Sequence, residues 1–88
     1  MAISVILPNA LRPHAAGNDR VPLEATTVGD ALEKLVQRYP PLGAHVPEFA
    51  GQGNAIYRNG TQIQKLQGLE TALVEGDTIT IIIPAGDL

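Results

Sequence analysis

An α+β fold, with one helix laid across a mixed sheet, is what this sequence predicts. Three observations predict it. Val28, Ala31, Leu32, Leu35, Val36 and Tyr39 form one apolar stripe at helical spacing. Two β-branched runs, residues 2–7 (AISVIL) and 78–83 (TITIII), stand near the two ends of the chain. Between the helix and the last run, Asn59-Gly60 is a strong signal for a two-residue hairpin turn.

The elements follow in order. Residues 2–7 read as a strand closed by Pro8, and their near-continuous apolar character predicts a central place in the sheet. The stretch PNALRPHAAGND is rich in turn formers and predicts a loop. Residues 20–24 (RVPLE) alternate as a second strand. Pro22 cannot donate to a ladder, so one side of that strand belongs at a sheet edge or a bulge. Thr26-Thr27-Val28-Gly29-Asp30 starts the helix: a threonine caps the free amides, and an acidic residue in the first turn suits the dipole. Glu33, Lys34, Gln37 and Arg38 occupy the outer helix face, and Pro40-Pro41 ends the helix.

Residues 42–53 are read as irregular, with Phe49 as their anchor in the core. Residues 55–58 (AIYR) form a third strand, and residues 61–63 (TQI) return from the Asn59-Gly60 turn. Leu66, Leu69, Ala72 and Leu73 are expected to plug the bottom of the core from a short helical turn or loop. Glu75-Gly76-Asp77 turns the chain into the last strand. A hairpin, one helix, then further strands is the β-grasp order. It places the first and last strands side by side and parallel in a sheet of four to five strands. The segment 66–73 is too short and too glycine-broken to supply the second helix of a ferredoxin-like fold.

Bulk properties narrow the function classes. The 88 residues allow one domain, and an apolar fraction of 44% is that of a globular protein. We divide the chain into a β-grasp domain at 1–84 and a flexible C-terminal tail at 85–88. No apolar run approaches the ~20 residues needed to cross a bilayer, and the first residues lack the basic start of a signal peptide. A cytoplasmic protein with no membrane partner is therefore expected. The lack of cysteine excludes a thiol nucleophile and a thiolate metal site. A net charge of −3 and six scattered basic residues argue against a nucleic-acid partner.

Nothing in the chain reads as an active site of its own. His14 and His45 are the only imidazoles, and neither has a carboxylate at metal-binding spacing. The one serine, Ser4, lies inside a strand, and the glycines form no phosphate-cradling loop; Gly51-Gln52-Gly53 reads as a loop before a strand. The tail Ala85-Gly86-Asp87-Leu88 remains. It is either a frayed end or an element the fold presents. A glycine-bearing tail can thread a narrow channel, because it has no side chain to block entry.

Four stretches now carry a resemblance. They are Leu11-Arg12-Pro13-His14, Thr27-Val28-Gly29-Asp30-Ala31-Leu32, Ile56-Tyr57-Arg58-Asn59-Gly60, and Leu73-Val74-Glu75-Gly76-Asp77-Thr78-Ile79-Thr80-Ile81. Together they make the chain resemble the ubiquitin-like sulfur carriers: the small molybdopterin synthase subunit, the thiamine sulfur carrier and the cysteine-biosynthesis carrier of actinobacteria. The LRPH loop resembles the last of these most. The resemblance implies a carrier rather than an enzyme, with no bound cofactor or metal. A ubiquitin-activating-type partner would spend ATP to adenylate the terminal glycine carboxylate, and a sulfur donor would convert it to a thiocarboxylate. A second partner would accept the sulfur: a PLP-dependent cysteine synthase or the large molybdopterin synthase subunit. The residues implied are Gly86 as the sulfur-carrying terminus, Ala85 beside it, and Tyr57, Arg58 and Leu73 for partner docking.

The chain departs from that pattern at its end. The family's active carriers finish in Gly-Gly, whereas here one glycine is followed by Asp87 and Leu88. One expectation is that a metalloprotease, a further partner, removes Asp87-Leu88. The other readings are a β-grasp binding or regulatory subunit that has lost sulfur transfer, or a tail altered from the natural one.

Overall fold

The structure, a computed structural model, describes residues 1–9, 11–44 and 56–82. In chain order its regular elements are β1 (Ala2–Ile6), β2 (Arg20–Glu24), α1 (Val28–Arg38), β3 (Ile56–Arg58), β4 (Thr61–Gln62) and β5 (Thr78–Ile81). The strands form one mixed sheet in the order β2-β1-β5-β3-β4. β1 and β5 are parallel, with Val5 level with Ile79, and every other pairing is antiparallel. The two most apolar runs thus lie together inside the sheet, as expected of strands that need cover.

Alternation along these strands sets the core. Ile3, Val5, Leu7, Ile79 and Ile81 face it, together with Val21 and Ile56. Helix α1 supplies Val28, Ala31, Leu32 and Leu35 to the same cluster, with Val36 and Tyr39 partly buried against it. The apolar stripe read from the sequence is therefore the packed face of the helix.

The helix start is built from side chains. Thr27 is the N-cap, and its hydroxyl accepts a hydrogen bond from the Asp30 amide at 3.1 Å. Asp30 reaches back to accept from the Thr26 amide at 3.1 Å, a variant of the capping box. That amide holds the Asp30 carboxyl below its ordinary range against the loss of hydration, and Lys34 adds to the effect. Thr27→Ala leaves an amide of the first turn without its partner. It is expected to cost about 1 kcal/mol and to lower the melting temperature by about 5 °C in a calorimetric scan. At the other end Tyr39 takes φ −130 and ψ 80, the extended shape demanded by the following proline.

Asn59 and Gly60 both have positive φ, 51 and 92, which is the pairing expected of a tight hairpin between β3 and β4. The return strand is shorter than the three residues predicted. Ile63 leaves the ladder to begin a 3-10 turn (Ile63–Lys65) and is buried.

One packing expectation is corrected. Leu66 and Leu69 do not plug the core; they are 38% and 42% exposed, and Ala72 is exposed as well. The segment holds a single 3-10 turn, Gly68–Glu70, which follows the one at Ile63–Lys65. Thr71 closes that turn by donating to the Gly68 carbonyl and accepting from the Gln67 amide. Of the four residues expected to plug the core, Leu73 does reach it, joined by Ile63 just ahead of the segment. After the helix, Leu42 is fully buried within a 3-10 turn (Pro40–Ala44), so this region holds a core anchor that the sequence reading left unassigned. Phe49, the anchor predicted there, lies outside the described residues, as do Ala55 and Ile83.

Candidate functional site

The tail predicted to carry the function, Ala85, Gly86, Asp87 and Leu88, lies outside the described residues, as does His45. What the structure describes is the platform that leads to it. β5 is the middle strand of five, held on one side by β1 and on the other by β3. Since Ile79 and Ile81 face the core, Thr78, Thr80 and Ile82 face the opposite side of the sheet.

That outer face has a continuous row. Register places Arg20 opposite Ile6, Ile6 level with Thr80, Thr80 opposite Tyr57, and Tyr57 opposite Gln62. All five strands contribute to it. Ile6, Thr80, Tyr57 and Gln62 are half-buried, Arg20 is exposed, and Ile82, two residues beyond Thr80, is 45% exposed. The Tyr57 hydroxyl accepts a hydrogen bond from the Gln62 side-chain amide at 3.3 Å, which fixes both ends of the row's polar corner.

The predicted docking residues thus separate. Tyr57 stands on the outer face beside β5. Leu73 is buried at 4% exposure and belongs to the core. Arg58 is committed to an ion pair: its Nε lies 2.9 Å from Asp77 Oδ2.

Asp77 is a junction that the sequence reading passed over, treating it only as part of a turn. Its side chain is 6% exposed and accepts three hydrogen bonds, from Arg58 Nε, Asn59 Nδ2 and the Val74 amide, each at 2.9 Å. Burial works to raise the Asp77 carboxyl, but the Val74 amide, the Asn59 amide group and the Arg58 guanidinium outweigh it and hold the group below the ordinary range. Asn59 also accepts from the Thr78 amide and donates its own amide to the Thr78 carbonyl. The turn is closed by the Asp77 amide on the Val74 carbonyl, with Gly76 at φ 88, a conformation that suits glycine. One carboxylate therefore ties the β3–β4 hairpin to the start of β5.

The LRPH stretch forms a 3-10 turn at Arg12–Ala15, with Leu11 and Ala15 buried. Arg12 Nε donates to the Leu7 carbonyl at 3.2 Å, and Arg12 also bonds the Asn9 side chain, so the turn is lashed to the end of β1. His14 lies half-buried on this turn. Among the described residues, every buried side-chain nitrogen and oxygen has a partner within the chain.

The comparisons with known proteins bear on this arrangement. The chain is 29% identical over 87 residues to the sulfur carrier protein CysO of Mycobacterium tuberculosis (strain ATCC 25618 / H37Rv), across 93% of this chain and 94% of that protein. The solution structure of small archaeal modifier protein 1 from Methanosarcina acetivorans matches with a TM-score of 0.78 and 32% identity, covering 96% of this chain and 93% of that one. The crystal structure of Mycobacterium tuberculosis CysO matches with a TM-score of 0.75 and 28% identity, over 94% of this chain and 98% of that one. These neighbours share the β-grasp, ubiquitin-like arrangement of mixed sheet and single helix. The ThiS family model spans residues 5–86, from the middle of β1 through the whole sheet to Gly86, and the chain belongs to the ThiS family.

Proposed function

We propose that this protein is a ubiquitin-like sulfur carrier, that it works as a co-substrate of partner enzymes, and that Gly86 becomes its working end. The observation that carries the reading is the family match, which runs to Gly86 and leaves Asp87 and Leu88 beyond it. The likeness to CysO over 93% of the chain supports the same reading and favours cysteine biosynthesis as the pathway.

The chemistry takes three steps. A peptidase, of metalloprotease type, hydrolyses the Gly86–Asp87 bond and frees the Gly86 carboxylate. An adenylating partner joins that carboxylate to the α-phosphate of ATP and releases pyrophosphate. A sulfur nucleophile then attacks the acyl carbon; AMP leaves, and a thiocarboxylate results once any remaining bond from the sulfur to its donor is broken. The carrier contributes a narrow end and a docking face. Ile6, Thr80, Tyr57 and Ile82 form that face beside the strand leading to the tail. Arg58 and Leu73 support it from within, one by pinning β3 to β5 through Asp77 and the other from the core. The sulfur then passes to an accepting enzyme, such as a PLP-dependent cysteine synthase.

The likeness at 32% identity to a small archaeal modifier protein favours a second reading, in which the same activated end is joined to another protein. Intact-mass spectrometry of the protein from its own cells separates the readings. A carrier ends at Gly86 and gains the increment of one oxygen exchanged for sulfur. A modifier appears in higher-mass conjugates with other proteins. A full-length, unmodified chain under sulfur demand would overturn both and leave a binding or regulatory subunit.

A further inference from the structure

β2 is an edge strand, and edges invite pairing with another chain. Among the described residues, the side of it that no strand pairs can be identified. The Ala25 amide donates to the Met1 carbonyl, and the Leu7 amide donates to the Asp19 carbonyl. Antiparallel ladders alternate, so residues 21 and 23 also bond β1, and residues 20, 22 and 24 turn their backbone groups outward.

The middle of that outward side is closed. Pro22 has no amide hydrogen. Its carbonyl accepts from Arg38 Nη1 at 3.1 Å, and the Glu24 carbonyl accepts from Lys34 Nζ at 2.8 Å. Both cations come from the outer face of α1, one turn apart, and both are aimed by a second contact. Lys34 Nζ lies 3.4 Å from Asp30 Oδ2, and the Arg38 guanidinium stands 5.9 Å from the centre of the Tyr39 ring. An incoming strand would find no donor at residue 22, and at the carbonyls of residues 22 and 24 it would meet a cationic side chain already bonded in the strand's path. The opposite edge, β4, is two residues long and offers little to pair with.

We propose that Pro22, Lys34 and Arg38 form a guard on the β2 edge that keeps this protein from pairing edge to edge with a second copy of itself. Charged helix residues that look merely solvated in the sequence thus act as surrogate ladder partners.

The test is self-association of the full chain, followed by light scattering over a concentration series. The wild type is expected to remain monomeric. Lys34→Ala/Arg38→Ala frees two acceptors, and adding Pro22→Val restores a donor. Each step is expected to tighten self-association, by about tenfold or more for the triple variant. Lys65→Ala, which removes a cation from the segment after β4, is expected to stay monomeric. A folded triple variant that remains monomeric overturns the proposal. Arg38→Met guards against a triple variant that fails to fold. Its Pro22 carbonyl carbon should shift upfield in NMR spectra while Lys65→Met leaves that resonance in place, and an unmoved Pro22 carbonyl overturns the proposal equally.

Discussion

Replacing Ile79 by alanine is expected to remove about 3–4 kcal/mol of stability, the largest effect of any single substitution considered for this fold. Ile79 is fully buried on the central strand, level with Val5 on β1 and opposite Arg58 on β3. Neighbours on both sides are held in ladders, so the site cannot collapse to fill the space. The loss therefore combines lost burial with a residual cavity. For a chain of 88 residues, total stability is on the order of 4–13 kcal/mol, so the variant stands near the threshold of folding. A fall of about 15–20 °C in melting temperature is expected, measured by circular dichroism or calorimetry. Thr80→Ala, one residue along on the outer face, is expected to cost well under half as much. Equal losses at the two positions would refute the assignment of faces on β5.

Asp77→Ala comes next, at about 3 kcal/mol. The substitution strands three donors at once: the Val74 amide, the Asn59 side-chain amide and the Arg58 guanidinium. Arg58→Ala should cost less, about 1 kcal/mol, because Asp77 keeps two of its three donors and the Arg58 side chain is 28% exposed. The asymmetry is diagnostic: a simple surface ion pair would lose the same amount from either side. Asp77 also sets a pH dependence. Its carboxyl is held below the ordinary range, so the folded state releases the proton more readily than the unfolded chain. The stabilisation is complete above the unfolded value of about 3.9 and is lost as pH falls from there through the lower folded value. Asp77→Asn, which has no such proton to bind, should show a shallower loss between pH 4 and the acid limit, to an extent about equal to the pH-linked contribution of Asp77. Asp30 acts with the same sign in both proteins, so the difference between the two curves isolates Asp77. Parallel curves would show that the hub contributes nothing through its charge.

The site was legible in unequal parts. The tail was singled out by its one glycine after an apolar strand, a local feature, and it lies outside the described residues. Tyr57 was legible as a strand residue beside a turn, and only register places it on the outer face opposite Thr80. Arg58 could not be placed in this way. Its partner lies 19 residues on, and only the pairing of β3 with β5 brings the two together. Leu73 carried both a core and a docking reading, and the Leu73 amide bonded to the Thr26 carbonyl draws it under the helix start.

By itself the sequence determined the elements whose causes lie within a few residues. These are the capped helix from Thr27, the Asn59-Gly60 hairpin, the extended residue before Pro40, and an edge or a bulge for the strand holding Pro22. Each follows from sterics or a hydrogen bond spanning a turn or less. Only the tertiary structure decided what Asp77, Arg58, Lys34, Arg38 and Leu42 do. Lys34 and Arg38 read as solvated charges until α1 is laid over β2, 10 and 16 residues back along the chain, where their donors meet its outward carbonyls. Polar side chains choose partners by distance in space, and in a fold whose first and last strands are neighbours, distance along the chain does not predict it.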